Sequence, residues 1–263
     1  TEQTEYVPSI LSYYGTATPL SVARSDLAAT TVGNYALFGG GTASGYTVDA
    51  YDTSLTRTLP EPLSVARGYL AATSVGNYAL FGGGFASGNK NTVDAYDTSL
   101  TRTLPEPLSV ARWKLAATSV GNYALFGGGG ALDAYDTSLT RFIGTAIAAY
   151  KLAATSVGNY ALFGGGGKSY TGQQPYNSVY AYDTTLTIQT LTPLSVARES
   201  LMAANVNKVY ALFGGGWNTW YYSPISYSNV DIYDVFLVKR AGTNLSSKAF
   251  MTSATSINDY ALF

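Results

Sequence analysis

The chain has 263 residues, a net charge of −1 and only 12% charged residues, with Lys plus Arg at 15 against Asp plus Glu at 16. This balance leaves no basic surface for nucleic acid or an anionic membrane, and we expect neither as a partner. Cysteine and histidine are both absent, which excludes disulfides, Cys or His nucleophiles, the usual imidazole base, and thiolate or imidazole metal ligands. We therefore expect no metal and no cofactor.

The N-terminal segment does not read as a signal peptide. Residues 1–12 include Glu2 and Glu5 and have no apolar core, and no stretch of the chain reaches the roughly 18 apolar residues of a membrane span. Tyr, Thr, Ser and Gly are abundant while charges are few, a composition typical of secreted bacterial and phage-particle β-proteins. We expect an extracellular, cell-surface or phage-particle protein.

One heptad recurs along the chain. It reads Asn-Tyr-Ala-Leu-Phe-Gly-Gly, and its copies lie at 34–40, 77–83, 122–128, 159–165, 209–215 and, shortened, 259–263. Their tyrosines are 43, 45, 37, 50 and 50 residues apart, a spacing typical of propellers, solenoids and repeat arrays. No helical period runs through any copy, so we predict one continuous all-β domain over residues 1–263.

Each copy contains four β-compatible segments, which we call A to D in chain order. In the first full copy, Gly33 and Asn34 accept a positive φ and favour a tight turn between A and B. Pro60 ends D because proline cannot donate a ladder hydrogen bond. The four segments lie at 27–32, 35–38, 47–51 and 55–59. They predict one four-stranded antiparallel sheet per copy.

The two ends of the chain are complementary. Residues 6–10 read as a degenerate copy of segment C, and the chain stops at Phe263 after segments A and B. Pairing of the first and last segments completes a sixth sheet and closes a ring, which leaves no exposed terminal repeat. The sequence therefore predicts a six-bladed β-propeller sealed by its own termini, and we expect a monomer.

The order of these segments resembles the kelch repeat. An arginine after Leu-Ser-Val-Ala precedes a small-residue strand, a hairpin turn, a strand that ends in Gly-Gly and a strand that ends in Tyr-Asp. The resemblance covers essentially the whole chain and implies a propeller of four-stranded blades. Kelch units usually carry a Trp after that Tyr, whereas this chain has Leu-Thr-Arg-Thr at 55–58, so we expect Tyr and Leu to pack the blades together. Residues 141–150 also lack the Pro-rich linker and the arginine.

The copies differ mainly in two places. One is the doublet after the arginine, such as Gly68-Tyr69 or Trp113-Lys114, and the other is the loop after the glycines, which reaches its greatest lengths at 168–178 and 217–228. In kelch-like propellers the D-to-A connections and the B-to-C loops lie on one face, so the resemblance brings both variable sets together. A rigid ring that presents variable loops is typical of recognition scaffolds.

We predict a ligand-binding site on this face, built mainly from aromatic side chains that can stack on sugar rings or anchor a protein contact. The predicted residues are Tyr69, Trp113, Tyr150, Tyr170, Tyr176, Arg198, Trp217, Trp220, Tyr221 and Tyr222. The alternative interpretation is that long loops bury their own aromatics. The arginines before four of the A segments either bond backbone carbonyls or form an electropositive ring for a carboxylate. They are Arg24, Arg67, Arg112 and Arg198.

Two other motifs favour structure over chemistry. The run Gly-Gly-Gly-Gly-Lys-Ser at 164–169 lacks the spacing of a phosphate-binding loop, and no helix follows it. Aspartates three residues apart, such as Asp49 and Asp52, point to opposite faces of a strand and cannot share a calcium ion. We expect one of each pair to be an exposed strand residue and the other a turn former.

The leading functional prediction is non-catalytic binding of an extracellular glycan or protein, with no catalytic residue. One alternative is a sugar-modifying enzyme similar to the N-acetylneuraminate epimerases, also kelch propellers, for which this face offers Glu199 beside Arg198. The galactose oxidase type needs histidine and a Cys-linked tyrosine, neither of which this chain has. A further alternative is a packing component of a larger surface or phage assembly.

Overall fold

The computed structural model describes residues 15–42, 44–169, 174–218, 225–250, 253–257 and 259–263. Every regular element in these ranges is a β-strand, and they contain no helix long and apolar enough to cross a membrane. Five antiparallel sheets of four strands follow one another along the chain, and a two-stranded hairpin comes last. The all-β propeller predicted from the repeat is confirmed.

The first three sheets, blades 1 to 3, each use four consecutive main strands. Blade 1 contains β1 (Ala28–Val32), β2 (Tyr35–Gly39), β3 (Val48–Tyr51) and β4 (Arg57–Thr58). Blade 2 contains β5 (Ala71–Val75), β6 (Tyr78–Gly82), β9 (Val93–Asp97) and β10 (Arg102–Thr103), with a small hairpin of β7 (Phe85–Ala86) and β8 (Gly88–Asn89) in its B-to-C loop. Blade 3 contains β11 (Ala116–Val120), β12 (Tyr123–Gly127), β13 (Gly130–Tyr135) and β14 (Arg141–Ile147).

The remaining strands form two full blades and the terminal hairpin. Blade 4 contains β15 (Ala153–Val157), β16 (Tyr160–Gly164), β17 (Val179–Tyr182) and β18 (Ile188–Thr190). Blade 5 contains β19 (Met202–Val206), β20 (Tyr210–Gly214), β23 (Val230–Asp234) and β24 (Lys239–Ala241), with a loop hairpin of β21 (Trp217–Asn218) and β22 (Ile225–Ser226). The terminal hairpin joins β25 (Thr255–Ile257) to β26 (Tyr260–Leu262).

The turn between strands C and D is built on an aspartate. In blade 1, Asp52 Oδ1 accepts hydrogen bonds from the backbone N–H groups of Ser54 and Thr56, both at 2.9 Å. The turn holds Leu55 in the left-handed region at φ 60°. Asp52 is therefore the turn former that the sequence predicts, but the turn also consumes residues assigned to strand D. Strand D consequently spans only Arg57–Thr58 rather than 55–59.

The hydrophobic core lies between neighbouring blades. Val32 and Leu37 of blade 1 share one buried cluster with Phe81 and Tyr96 of blade 2. A Cβ added to Gly39 would lie 2.7 Å from the Phe81 ring, so this B-strand Phe occupies the space above a glycine of the preceding blade. The same contact joins Gly82 to Phe126, Gly127 to Phe163, Gly164 to Phe213 and Gly214 to Phe263. Phe thus joins the predicted Tyr and Leu in packing the blades.

The C-strand tyrosines connect each blade to the linker that precedes it. Tyr96 meets Phe81 edge-on, with ring centres 6.0 Å apart, and its hydroxyl donates to the Glu61 carbonyl at 2.8 Å. Burial raises the pKa of the Tyr96 hydroxyl, so this donor keeps its proton. Tyr51, Tyr135 and Tyr233 repeat the hydroxyl-to-linker bond, whereas Tyr182 of blade 4 donates to the Thr145 carbonyl in β14 of blade 3.

The A strands pack against one another around the axis, in the order β1, β5, β11, β15, β19 and β25. The D-to-A connection of each blade therefore arrives at the axis just before its A strand begins. The prediction that residues 6–10 complete the last blade beside the terminal hairpin concerns residues outside the described ranges.

Candidate functional site

The variable doublets and the variable loops lie side by side. In blade 1, the Thr42 N–H donates to the Ser25 carbonyl at 2.9 Å. In blades 2, 4 and 5 the first doublet residue and a loop residue exchange two backbone hydrogen bonds of 2.8 to 3.0 Å. These reciprocal pairs are Gly68 with Phe85, Tyr150 with Gly167, and Glu199 with Trp217. Two segments that differ from copy to copy thus form one continuous face.

The second doublet residues form a hydrogen-bonded series around the axis. In five blades this residue has a φ between 51° and 56°, in the left-handed region that non-glycine residues seldom occupy. The last four of these residues each donate their N–H to the carbonyl of the member in the preceding blade, at 2.9 to 3.0 Å. We call these residues, Asp26, Tyr69, Lys114, Lys151 and Ser200, the axial ring. Its backbone is uniform although its side chains differ in charge, size and polarity.

The axial ring carries charges of both signs. Lys151 Nζ lies 2.8 Å from Oε1 of Glu199, whose side chain is fully buried. Burial lowers the pKa of Lys114, and the positive charge of Lys151 lowers it further. Burial also raises the pKa of Tyr69, as does the nearby Asp26 carboxylate, so Tyr69 presents a neutral hydroxyl. The described residues provide Lys151 with a carboxylate partner but give Lys114 no salt bridge.

Aromatic side chains hold the Lys114 ammonium instead. Its Nζ lies 4.3 Å from the Trp113 ring centre and 5.4 Å from that of Tyr69. Trp113 also contacts Tyr69 edge-on at 5.2 Å and Phe85 at 5.0 Å between ring centres. Phe85 is 39% exposed, and a shallow cleft of about 390 Å³ lies between it, Tyr69 and Thr42. An exposed aromatic surface thus adjoins a cation on this face.

A second aromatic contact lies on blade 5. The rings of Trp217 and Phe250 stack in parallel, 4.8 Å apart at an angle of 5°, and Phe250 is 39% exposed. Tyr150 and Tyr176 are both half-buried; the Tyr150 ring packs over Gly129 of blade 3. Four predicted site residues, Tyr170, Trp220, Tyr221 and Tyr222, lie outside the described residues and stay predictions.

Arg198 requires a correction, because the structure places its side chain in the core. It is fully buried, its Nη2 lies 2.8 Å from Asp231 Oδ2, and Nη2 donates to the Phe213 carbonyl at 3.1 Å. The side chain has no exposed surface with which to contact a ligand. Three sister pairs, Arg24 with Asp49, Arg67 with Asp94 and Arg112 with Asp133, have N–O distances of 2.6 to 2.7 Å. The interpretation that these arginines bond backbone carbonyls therefore describes their contacts.

The first aspartate of each predicted pair is also misplaced by the sequence analysis, which assigned it to an exposed strand position. Asp49, Asp94 and Asp133 have no exposed side-chain surface. Desolvation pushes the pKa of Asp49 upward, but hydrogen bonds from Ser21 and the Arg24 guanidinium outweigh it, so the pKa is lowered. These carboxylates hold the arginines rather than calcium.

Several residues of the face were missed from the sequence. Phe85 and Phe250 expose rings beside the predicted tryptophans, and Asp26, Lys114 and Lys151 belong to the axial ring. The only sequence signal for the members of the axial ring is their position, since each is the second residue of a variable doublet. The predicted site residues at these doublets are mainly aromatic, whereas the structure adds charged residues at the second doublet position.

Comparisons with known proteins support the fold. No family model and no curated protein matches the chain. A solved structure described as the structure of YjhT matches with a TM-score of 0.74 and 12% identity, over 93% of this chain and 91% of that chain. A fungal alcohol oxidase of the AA5 family, solved in complex with copper, matches with a TM-score of 0.69 and 15% identity, over 88% of this chain. This chain spans only 56% of that oxidase. At these identities the likeness shows the propeller fold alone.

No metal site accompanies the likeness to the copper oxidase. The parts of the chain that the structure describes contain no group of three or more His, Cys, Asp or Glu side chains able to hold a metal ion. The sequence contains neither histidine nor cysteine. The described residues of this face present aromatic rings, two ammonium groups, two carboxylates and hydroxyls.

Proposed function

We propose that this protein is a kelch-type recognition module that binds an extracellular glycan, without catalysis, on the face formed by the axial ring and the B-to-C loops. The observation that carries the proposal is the axial ring itself. One backbone position recurs in five blades with the same left-handed φ, and four hydrogen bonds link its copies in series, yet its side chains range from Asp through Tyr and Ser to Lys. A fixed scaffold with variable display supports a role in binding.

The contacts of Lys114 favour a ligand that carries an acidic group. Lys151 already has Glu199 as its partner at 2.8 Å, whereas Lys114 contacts aromatic rings and interacts with the Glu199 and Asp26 carboxylates through space, without a salt bridge among the described residues. A carboxylate or sulfate on a sugar would give this cation a charged partner, while Phe85 offers an exposed ring for stacking. We therefore infer an acidic glycan.

The epimerase alternative receives less support from the contacts of its proposed residues. Arg198 pairs with Asp231 in the core, whereas Glu199 pairs with Lys151 beside the axis. The two neighbours in sequence point to different partners, so they do not form one acid and arginine pair.

A glycan array that carries acidic and neutral glycans tests the proposal. We expect binding to acidic glycans, and Lys114→Met should weaken it by about tenfold, the effect of one charge-assisted contact. Lys208→Met is the matched control, since Lys208 is exposed, has a similar φ of 57° and lies in the turn between β19 and β20. Binding should also fall as pH rises through the lowered pKa of Lys114, below its ordinary value of 10.5.

Two results contradict the proposal. One is an array without any bound glycan while a pull-down captures a protein ligand, and the other is acidic-glycan binding that Lys114→Met leaves unchanged. Retained thermal stability of both variants shows that any loss of binding is local.

A further inference from the structure

Blade 4 lacks both members of the buried ion pair that the other four full blades contain. Ala149 takes the place of the arginine: the Gly129 N–H donates to the Ala149 carbonyl at 2.9 Å, as the Gly84 N–H donates to the Arg112 carbonyl at 2.9 Å. Tyr180 takes the place of the aspartate, since it pairs with Phe163 in the sheet as Asp94 pairs with Phe81.

The loss of the arginine and the loss of the aspartate compensate each other. A buried arginine without its aspartate, or the reverse, leaves an uncompensated charge in the core, whereas removal of both is tolerated. The paired change therefore leaves no unpaired charge in the core of blade 4. The methyl group of Ala149 does not fill the space that an arginine side chain occupies in the other blades.

A cavity marks the place of the missing pair. It has a volume of about 200 Å³ and is lined by Ile147, Ala149, Gly165, Tyr176, Ser178 and Tyr180. Ala149 and Tyr180 are the two substituted positions. Ile147 and Gly165 correspond to the residues of blade 2, Val65 and Gly83, whose carbonyls accept bonds from Arg67 at 2.9 and 2.7 Å. The cavity is thus the space that a guanidinium fills elsewhere.

The sister blades show which chemistry such walls accept. In all four ion-paired blades the arginine Nη2 donates to the carbonyl of the B-strand Phe, at 2.9 to 3.1 Å. The corresponding carbonyl in blade 4 belongs to Phe163, and no arginine is present to donate to it. Backbone acceptors call for N–H or O–H donors. With no carboxylate at Tyr180, a cation in this place would remain unpaired.

We propose that this cavity is a binding site for a primary carboxamide, a small, neutral and planar group with two N–H donors. The amide replaces the donor edge of the missing guanidinium, and its aliphatic carbon packs against Ile147 and Ala149. Tyr176 and Ser178 come from the end of the B-to-C loop, so the cavity adjoins the variable face. It shares no residue with the axial ring and does not depend on the glycan proposal.

Saturation-transfer NMR with three probes of similar size tests the site: acetamide, guanidinium and acetate. We expect acetamide to bind the wild-type protein saturably in the millimolar range and the two ions to bind at least about tenfold more weakly. In Tyr180→Asp the restored carboxylate should reverse the order in favour of guanidinium. A crystal soaked with acetamide should show the amide nitrogen near the Ile147 or Gly165 carbonyl, since both residues line the cavity.

Two variants close the cavity and serve as controls. Ala149→Arg combined with Tyr180→Asp restores the pair of the sister blades, and Ala149→Leu fills the space with an apolar group alone; both should abolish acetamide binding. The proposal is wrong if acetamide fails to saturate, if either folded variant still binds it equally well, or if guanidinium binds the wild-type protein as tightly as acetamide does.

Discussion

Each arginine of the ion-paired blades connects three parts of its own blade. Arg67 Nε donates to the Gly83 carbonyl at 2.7 Å, Nη1 to the Val65 carbonyl at 2.9 Å, and Nη2 to both the Phe81 carbonyl and Asp94. The linker, strand B and strand C are thereby joined through one side chain. Burial lowers the pKa of Arg67, and the Asp94 carboxylate opposes that effect.

Arg67→Met should lower the free energy of unfolding by about 3 kcal/mol, because the buried Asp94 then loses its ion-pair partner at 2.7 Å and keeps only Arg102 at 3.7 Å. Arg67→Met combined with Asp94→Leu should recover most of that loss. Arg240→Met is the control, since Arg240 is 68% exposed and lies 3.5 Å from Asp234; about 0–1 kcal/mol is expected. Urea denaturation measures all three, and a single variant as stable as the control contradicts the argument.

The residue roles were only partly predictable from sequence. Recurrence indicated that the arginines have a framework role, but the aspartates were assigned to an exposed face because strands usually alternate between buried and exposed positions. Strand C is instead buried on both sides, as all four residues of Val48–Tyr51 show. Alternation carries no signal in such a strand. The axial ring was equally unpredictable, because no sequence pattern indicates a left-handed φ at Lys or Tyr.

At the scale of the strand, the contact between one blade's glycine and the next blade's Phe sets the distance between B strands. Gly127 and Phe163 illustrate it, since an added Cβ would lie 2.7 Å from the ring. The φ of Gly127 is not positive, so the backbone conformation does not require glycine there. Glycine is needed because its lack of a Cβ lets the Phe163 ring approach the strand closely.

Gly127→Ala should destabilise the protein by about 1–3 kcal/mol through overpacking between blades 3 and 4. Phe163→Leu in the same chain should relieve the clash and recover part of the loss, although each single change is destabilising. A thermal melt of the two single variants and the double variant measures this coupling. Strict additivity of the two changes contradicts a direct contact.

Strand boundaries were less predictable than strand order. The heptad and the glycines located strands A and B within a residue or two, as β1 and β2 show against 27–32 and 35–38. Strand D was predicted too long because an exposed Leu in the left-handed region is uncommon. The aspartate turn imposes it nonetheless, at Leu55 and again at Leu100, Leu139, Leu186 and Leu237.

For the molecule as a whole, the propeller fold was predictable from the spacing of the repeats. Copies of one four-strand unit cannot bury their faces alone, and stacking them around an axis gives every blade two neighbours. The blade 4 cavity could not be predicted in this way. Ala149 and Tyr180 each look like isolated departures in the sequence, and only the fold brings them to one place.

Ring closure gives a prediction for the complete chain. Residues 6–10 are predicted to pair beside β26, so deletion of residues 1–14 should leave an unpaired strand edge in the last blade. We expect a lower melting temperature and self-association in light scattering, with Phe263 still packed on Gly214. Glu2→Gln with Glu5→Gln, which leaves the segment in place, is the control. An undiminished melting temperature after the deletion contradicts closure by the N-terminal segment.

The left-handed backbone of the axial ring also restricts how this molecule can change its specificity. Val, Ile and Thr branch at Cβ and tolerate that conformation poorly, while Asn, Asp and Gly adopt it most readily. The backbone conformation therefore limits which substitutions the axial ring tolerates, whatever the ligand is. This applies at Asp26, Tyr69, Lys114, Lys151 and Ser200. A directed-evolution library at these codons gains the most functional clones by omitting β-branched amino acids.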